Sequence, residues 1–444
     1  MFEAGIFEQR RENLMEKMGD GSVGIWVGAP ELIRSRDSNF RYRPSSDVLY
    51  LTGFEEPGTI VVLRPSDEDG NRFTLFVRPR NEEREIWEGR RLGPERAKEE
   101  LGADQVFSIE EFEEQLPKLL VGADRLYYQL NLYPTYDTTV LKGLQASHRQ
   151  RRQGKDTPGQ IVEAASLLDE LRLFKSPEEI EVMRKAGSLT AEAHRRAMAV
   201  TRPGMKEFQL EALIAYHFRV NGCTEVAYSS IVGGGGNAAV LHYIENHDTL
   251  RDGDLVLIDA GAEYKYYAGD ITRTYPVNGK FSPQQRDVYQ LVLEAELAAI
   301  EVCRPGNRFN DVHDKAVRVL TEGLVSLGVL KGSVDELIEE GAFKSYYMHK
   351  TGHWLGMDVH DVGNYFEADK ESRKLEPGMV LTVEPGLYFH PEFCKDESAK
   401  PYVGMGIRVE DDILITESGY ENLTHEAPKT VEDIEAVVGS EELP

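Results

Sequence analysis

The sequence predicts an α/β domain over residues 1–172 and, over 173–444, an α+β domain with an internal pseudo-twofold repeat. Three observations predict it. Residues 250–261 read LRDGDLVLIDAG and 375–386 read LEPGMVLTVEPG, so Leu250, Gly253 and Gly261 fall on Leu375, Gly378 and Gly386, and Asp259 falls on Glu384. Ser176-Pro177-Glu178-Glu179 and Ser282-Pro283-Gln284-Gln285 each open a helical pattern that stops at Arg-Pro-Gly, at 202–204 and 304–306. Ahead of these, apolar runs bounded by turn residues alternate with helical patterns, as in an α/β domain.

Taken in chain order, the first 18 residues are a mixed-charge amphipathic stretch without the apolar core of a signal peptide. VGIWVGA, TIVVLRP and FTLFVRP read as strands, and 9–18, 94–101 and 109–120 as helices. The polar, basic run HRQRRQGKDTPGQ at 148–160 separates this part from the next, which begins with a helical pattern over 160–172. Ser176 at the N-cap, Pro177 at the first helical position and Glu179 two residues on form a strong helix start. A second helix follows each Arg-Pro-Gly stop, at about 206–220 and 308–327. Each half then delivers a strand ending in an acid, and a further strand with another acid: Asp270 in AGDITRTYPV and Glu410 in GIRVEDDILIT. A carboxylate at the end of a buried strand is costly unless it is paired or bound to a cation. Two of them delivered by one repeated device suggest a shared ion. Side-chain alternation puts Arg408 and Glu410 on one face and Asp270 and Thr272 on another. Asp412 shares the face of Glu410, so alternation removes only Asp411.

With 41% hydrophobic and 29% charged residues, the composition is that of a soluble globular protein. No run of 18 apolar residues is present, so no transmembrane helix is expected. A net charge of −26 argues against nucleic acid and anionic membrane as partners. Cys223, Cys303 and Cys394 show no metal or redox spacing, which makes the cytoplasm the expected compartment. HExxH and GxSxG are absent, and the four glycines at 233–236 lack the GK[ST] of a phosphate loop.

Between the two acid pairs lies MHKTGHWLGMDVHDVG, which crowds His349, His353 and His360 into a chain with only 11 histidines. His242 follows the four glycines. A lone histidine is more often structural, as at His148, His194 or His425. A cluster beside glycines and strand-end acids points to a site. Arg408 joins it through the face shared with Glu410.

These residues carry a resemblance. LIDAG, GDITRT, HWLGMDVHD, TVEPGLY and GIRVEDD, spread over nearly all of 176–425, closely resemble the pita-bread metallopeptidases: methionine aminopeptidase, prolidase and aminopeptidase P. The segments at 36–57 and 85–93 look like aminopeptidase P, whose N-terminal domain the methionine aminopeptidases lack. The resemblance implies a pita-bread fold for the second domain, with Asp259, Asp270, His353, Glu384 and Glu410 as metal ligands. It places His242, His349, His360 and Arg408 at positions that bind substrate and stabilise the reaction, and it implies that Glu384 also carries protons. Four carboxylates and one imidazole suit two Mn²⁺ ions, with Co²⁺ or Zn²⁺ as alternatives. Such a metal pair makes water nucleophilic near neutral pH. The expected activity is an Xaa-Pro aminopeptidase acting on peptides with proline second. The alternatives are an Xaa-Pro dipeptidase (prolidase) and a non-catalytic peptide-binding module; creatinase shares the fold but works without metal. Two positions depart from the pattern. Aminopeptidase P sequences commonly have a small residue after the first histidine and Ser before the second, where this chain has Lys350 and Gly352, the latter prolidase-like. A homo-oligomer, dimer or tetramer, is expected. The resemblance points Trp87 toward a neighbouring subunit's site; the alternative is a core tryptophan.

Overall fold

The computed structural model describes residues 2–442 apart from 68, 393 and 396. The chain divides into two compact units, Met1–Leu171 and Arg172–Pro444.

The first unit is built on a six-stranded sheet in the order 105–108, 73–77, 60–63, 22–27, 125–128, 160–162. The three apolar runs legible in the sequence are Ser22–Val27, Ile60–Leu63 and Phe73–Val77, buried at every position. They pair antiparallel in succession, and parallel strands extend the sheet on both sides. The expected helix over 160–172 begins only at Ala165, and Gln160–Val162 is instead an edge strand parallel to Arg125–Tyr127. Gly159 bonds to the Asp124 carbonyl (2.8 Å), which leads β-branched Ile161 and Val162 onto the sheet edge rather than into a helix. The basic stretch before them folds onto itself, with Arg151 Nε donating to Thr157 Oγ1 at 2.7 Å. Trp87 is no core residue: it is 88% exposed on Glu82–Glu88, a helix with no buried residue.

In the second unit the repeated landmarks have a common structural cause. Both long helices, Pro177–Val200 and Pro283–Ile300, start in a capping box, closed by the side chains of Glu179 and Gln285 accepting from the Ser176 and Ser282 N–H groups at 2.9 Å. Past each helix the Arg-Pro-Gly stop places a glycine at positive φ, +93° at Gly204 and +88° at Gly306. Gly204 N–H donates to the Leu250 carbonyl (2.8 Å) and Gly306 N–H to the Leu375 carbonyl (3.0 Å). Leu250 and Leu375 return bonds to Met205 (2.8 Å) and Asn307 (2.7 Å). Each stop thus pins the segment leading into an acid-bearing strand, and that is why these short motifs recur together.

Two antiparallel three-stranded sheets follow. One joins Ile231–Gly234, Leu255–Ala260 and Ile271–Pro276; the other joins Val380–Val383, Asp411–Thr416 and Gly419–Asn422. The fold is the pita-bread architecture expected for this half. Val256, Ile258, Tyr275, Val288, Val292 and Leu320 are fully buried between sheet and helices and form the centre of its core. Among the described residues no helix is long and apolar enough to cross a membrane.

Candidate metal centre

A cavity of about 430 Å³ opens in the second unit, lined by Asp259, Asp270, His353, Glu384 and Glu410 and also by His242, His349, His360 and Arg408. Asp259 lies at the end of Leu255–Ala260, paired across the ladder with Thr272. The chain returns through Gly261, where a Cβ would stand 1.7 Å from the Gly269 carbonyl oxygen. Only glycine lets the backbone close there, and the closure brings Asp270 beside Asp259. Glu384 directly follows Val380–Val383, its N–H held by the Thr351 carbonyl at 2.7 Å. Glu410 falls in the break between strands Gly406–Arg408 and Asp411–Thr416. The break settles what alternation left open. Asp412 does not line the cavity; its Oδ2 accepts from the Asp270 N–H at 3.0 Å.

Ligand-capable atoms of Asp270, His353 and Glu410 all lie within 4.8 Å of one another. His353 Nε2 is 3.5 Å from Asp270 Oδ2 and 3.7 Å from Glu384 Oε1. Its Nδ1 lies 3.0 Å from the Trp354 carbonyl oxygen, which orients the ring with Nε2 toward the acids. The Tyr228 hydroxyl lies between the aspartates, 2.5 Å from Asp259 Oδ1 and also bonded to Asp270 Oδ1. Thr272 Oγ1 donates to Glu410 Oε2 at 2.5 Å.

The electrostatics show what this cluster lacks. Burial holds Glu410 well above the usual carboxylate range, and the charges of Asp270 and Glu384 add to that. Burial pushes Glu384 up to about 7, against the pull of His353 and Arg408. Asp270 is raised by burial despite its hydrogen bond to His353. Burial opposes the charged form of His353, yet Asp270 and Glu384 carry its pKa up to about 9. Without a cation the cluster therefore retains protons, and a divalent ion would displace them. Buried oxygen acceptors with one imidazole fit a hard divalent metal.

Two residues expected at the substrate have their donors engaged inside the protein. Arg408, 3% exposed, bonds Asp259 Oδ2 at 2.6 Å, Thr272 Oγ1 at 3.0 Å and the Tyr388 hydroxyl at 2.9 Å. His349 has Nδ1 2.7 Å from the Lys350 carbonyl oxygen and Nε2 2.9 Å from the Tyr388 hydroxyl. Burial, with the charge of Arg408, pushes its pKa down to about 3, so the ring is neutral. Arg408, Tyr388 and His349 thus form one chain along the cavity wall. By contrast, His242 and His360 are exposed at the cavity, and no side-chain hydrogen bond occupies either ring among the described residues. Sequence reasoning missed Tyr228, Thr272 and Tyr388 as parts of the site. Thr272 was within reach through the face it shares with Asp270; nothing in VAYSSIV marks Tyr228.

Gly352 has a packing reason of its own. A Cβ there would lie 1.9 Å from the Thr382 carbonyl oxygen. The backbone of the histidine segment rests directly on the strand leading to Glu384, and the close approach favours a residue without a side chain.

A model of metallopeptidase family M24 matches residues 181–417, and one of the aminopeptidase P N-terminal domain matches 7–127. The Xaa-Pro aminopeptidase of Escherichia coli is 49% identical over 432 residues, 97% of each chain. That of Haemophilus influenzae is 44% identical, covering 97% of this chain and 96% of its own. Among solved structures, aminopeptidase PepP of Pseudomonas aeruginosa has a TM-score of 0.95 at 47% identity, with 98% of each chain covered. Zinc-substituted E. coli aminopeptidase P in complex with product has a TM-score of 0.94 at 48% identity, again with 98% of each chain covered.

Proposed function

The chain belongs to metallopeptidase family M24, and we propose that Asp259, Asp270, His353, Glu384 and Glu410 hold two divalent ions in the service of its activity. It is a metallo-exopeptidase, an Xaa-Pro aminopeptidase that removes the first residue from peptides with proline second. The observation that carries the metal assignment is the convergence of buried, proton-retaining acids on His353 Nε2. The oxygen-rich donor set favours Mn²⁺, with Co²⁺ and Zn²⁺ also compatible.

When bound, the metal polarises the scissile carbonyl and makes water nucleophilic near neutral pH. The protein supplies the rest. Glu384 takes a proton from the attacking water at its carboxylate oxygen and delivers it to the departing nitrogen. That nitrogen belongs to proline and has no hydrogen of its own, so a delivered proton is essential. His242 and His360 donate to the oxygen that gains negative charge. Arg408 holds Asp259 in place and, through Tyr388, the ring of His349. We also assign the protein to the cytoplasm, a reading supported by the buried thiols of Cys223 and Cys303, which form no disulfide among the described residues. Exposed Ile33, Phe40, Ile86 and Trp87 on the first unit support a homo-oligomer.

Comparing Ala-Pro-Ala with Ala-Pro tests the activity. The expected result is free alanine and Pro-Ala from the tripeptide, at least about tenfold faster than any cleavage of the dipeptide, a gap of ~1.4 kcal/mol. Cleavage of Ala-Pro alone would make the protein a dipeptidase.

A further inference from the structure

Lys350 is a cation at the cavity wall with no assigned work. It lines the same cavity as the acids, and its side chain is exposed. Arg408, the other permanently charged cation there, is committed to Asp259 at 2.6 Å. The Lys350 ammonium makes no hydrogen bond or ion pair among the described residues. Asp314, on the helix Phe309–Ser326, feels its charge without coming within ion-pair distance. The backbone beneath this free side chain is firmly held. The Lys350 carbonyl oxygen lies 2.7 Å from His349 Nδ1. The next residue, Thr351, bonds through Oγ1 to His313 Nδ1 at 2.9 Å and to the Tyr347 hydroxyl at 2.5 Å. An exposed ammonium therefore projects from a fixed point on the cavity lining.

The charged groups of the cavity are separated by depth, on a lining that also carries Ile231, Leu241, Ile244 and Val359. Its acids are deep, with Asp270 4% and Glu410 1% exposed, while Lys350 stands in solvent contact. A short peptide carries the opposite pattern, an ammonium on the residue to be removed and a carboxylate at the far end. Three extended residues span about 10 Å. A tripeptide whose first residue is held at the buried acids therefore carries its carboxylate toward the solvent-exposed part of the cavity lining, where Lys350 stands. In a protein of net charge −26 that carboxylate is repelled unless a cation receives it.

We propose that Lys350 is a specificity-determining residue that binds the C-terminal carboxylate of tripeptide substrates. The proposal rests on the Xaa-Pro aminopeptidase reading and deepens it.

The test uses full-length, Mn²⁺-loaded protein and compares Ala-Pro-Ala with its C-terminal amide. The wild type is expected to favour the free acid in kcat/KM by about five- to tenfold, carried by KM, as suits one partly exposed charge-assisted contact. In Lys350→Met the acid-to-amide ratio falls to about one, and in Lys350→Arg it stays well above one. Each ratio is internal to one protein, so partial misfolding cancels. Equal ratios in the wild type and Lys350→Met would overturn the proposal. If the wild type cuts neither peptide before proline, the aminopeptidase reading itself fails and takes the proposal with it.

Discussion

Replacing Glu384 with alanine is expected to lower turnover of Ala-Pro-Ala by about 10³-fold or more and to reduce bound metal. Two roles meet in this side chain. Its carboxylate lies 3.7 Å from His353 Nε2 and 3.8 Å from His349 Nδ1, within the acid cluster. A carboxylate beside the reacting water can both accept and release the proton that the departing nitrogen needs. General acid–base catalysis alone is worth about 10²–10⁴-fold, and loss of a ligand adds to it. Glu384→Gln separates the roles, because the amide keeps the size and an oxygen donor but cannot carry the proton. It should keep more metal than the alanine variant while turning over about as slowly. Metal analysis and product release measured on one preparation decide the matter. Wild-type rates with full metal in Glu384→Ala would remove this residue from the mechanism.

The second large effect is on stability. Asp411, the acid that alternation turns away from the cavity, is fully buried in a charged network of its own. It bonds Arg273 Nη2 at 2.6 Å, Lys429 Nζ at 2.6 Å and Asn422 Nδ2 at 2.6 Å, and Lys429 reaches Glu296 at 2.8 Å. Burial works against its charged form, but Arg273 and Lys429 more than offset that and hold its pKa well below the usual range. Arg273 also donates to the Glu410 carbonyl at 2.6 Å, so the network supports the backbone at Glu410 from behind. Asp411→Ala leaves the Arg273 guanidinium without a carboxylate in the interior and Lys429 with Glu296 alone, and should cost about 3–5 kcal/mol. Thermal denaturation of the second unit should then shift down by at least about 5 °C. The double variant Arg273→Met, Asp411→Leu should be less damaged than the single, because no buried charge is left unpaired. An unchanged melt for Asp411→Ala would show that the network contributes nothing.

Much of this was legible in the sequence because the landmarks are short and stereochemically obligatory. A capping serine three residues before Glu179 or Gln285, and glycines at positive φ such as Gly204 and Gly306, must occur where helices start and stop. Acids at the ends of apolar strands announced the cavity for the same reason, since nothing else places Asp259 and Glu384 so regularly. What the sequence hid was pairing. It showed that Arg408 and Glu410 face one way, but not that the donors of Arg408 go to Asp259 and Tyr388. Nor did the sequence show that Gly352 lies against the Thr382 carbonyl. Tyr228 carries no pattern at all and reaches the aspartates only through tertiary folding. Gln160–Val162 lost its helical reading to a sheet edge supplied by a distant strand.

In the proposed mechanism, five side chains from the two halves of the repeat act together as a divalent-metal site that makes water a nucleophile. The direct measurement is turnover of Ala-Pro-Ala against Mn²⁺ bound per chain, starting from chelator-stripped protein. The expected result is no turnover without metal and a plateau at two ions per chain, with Asp270→Asn failing to reach it. Full turnover by stripped protein, or a wild-type titration by Asp270→Asn, would contradict it.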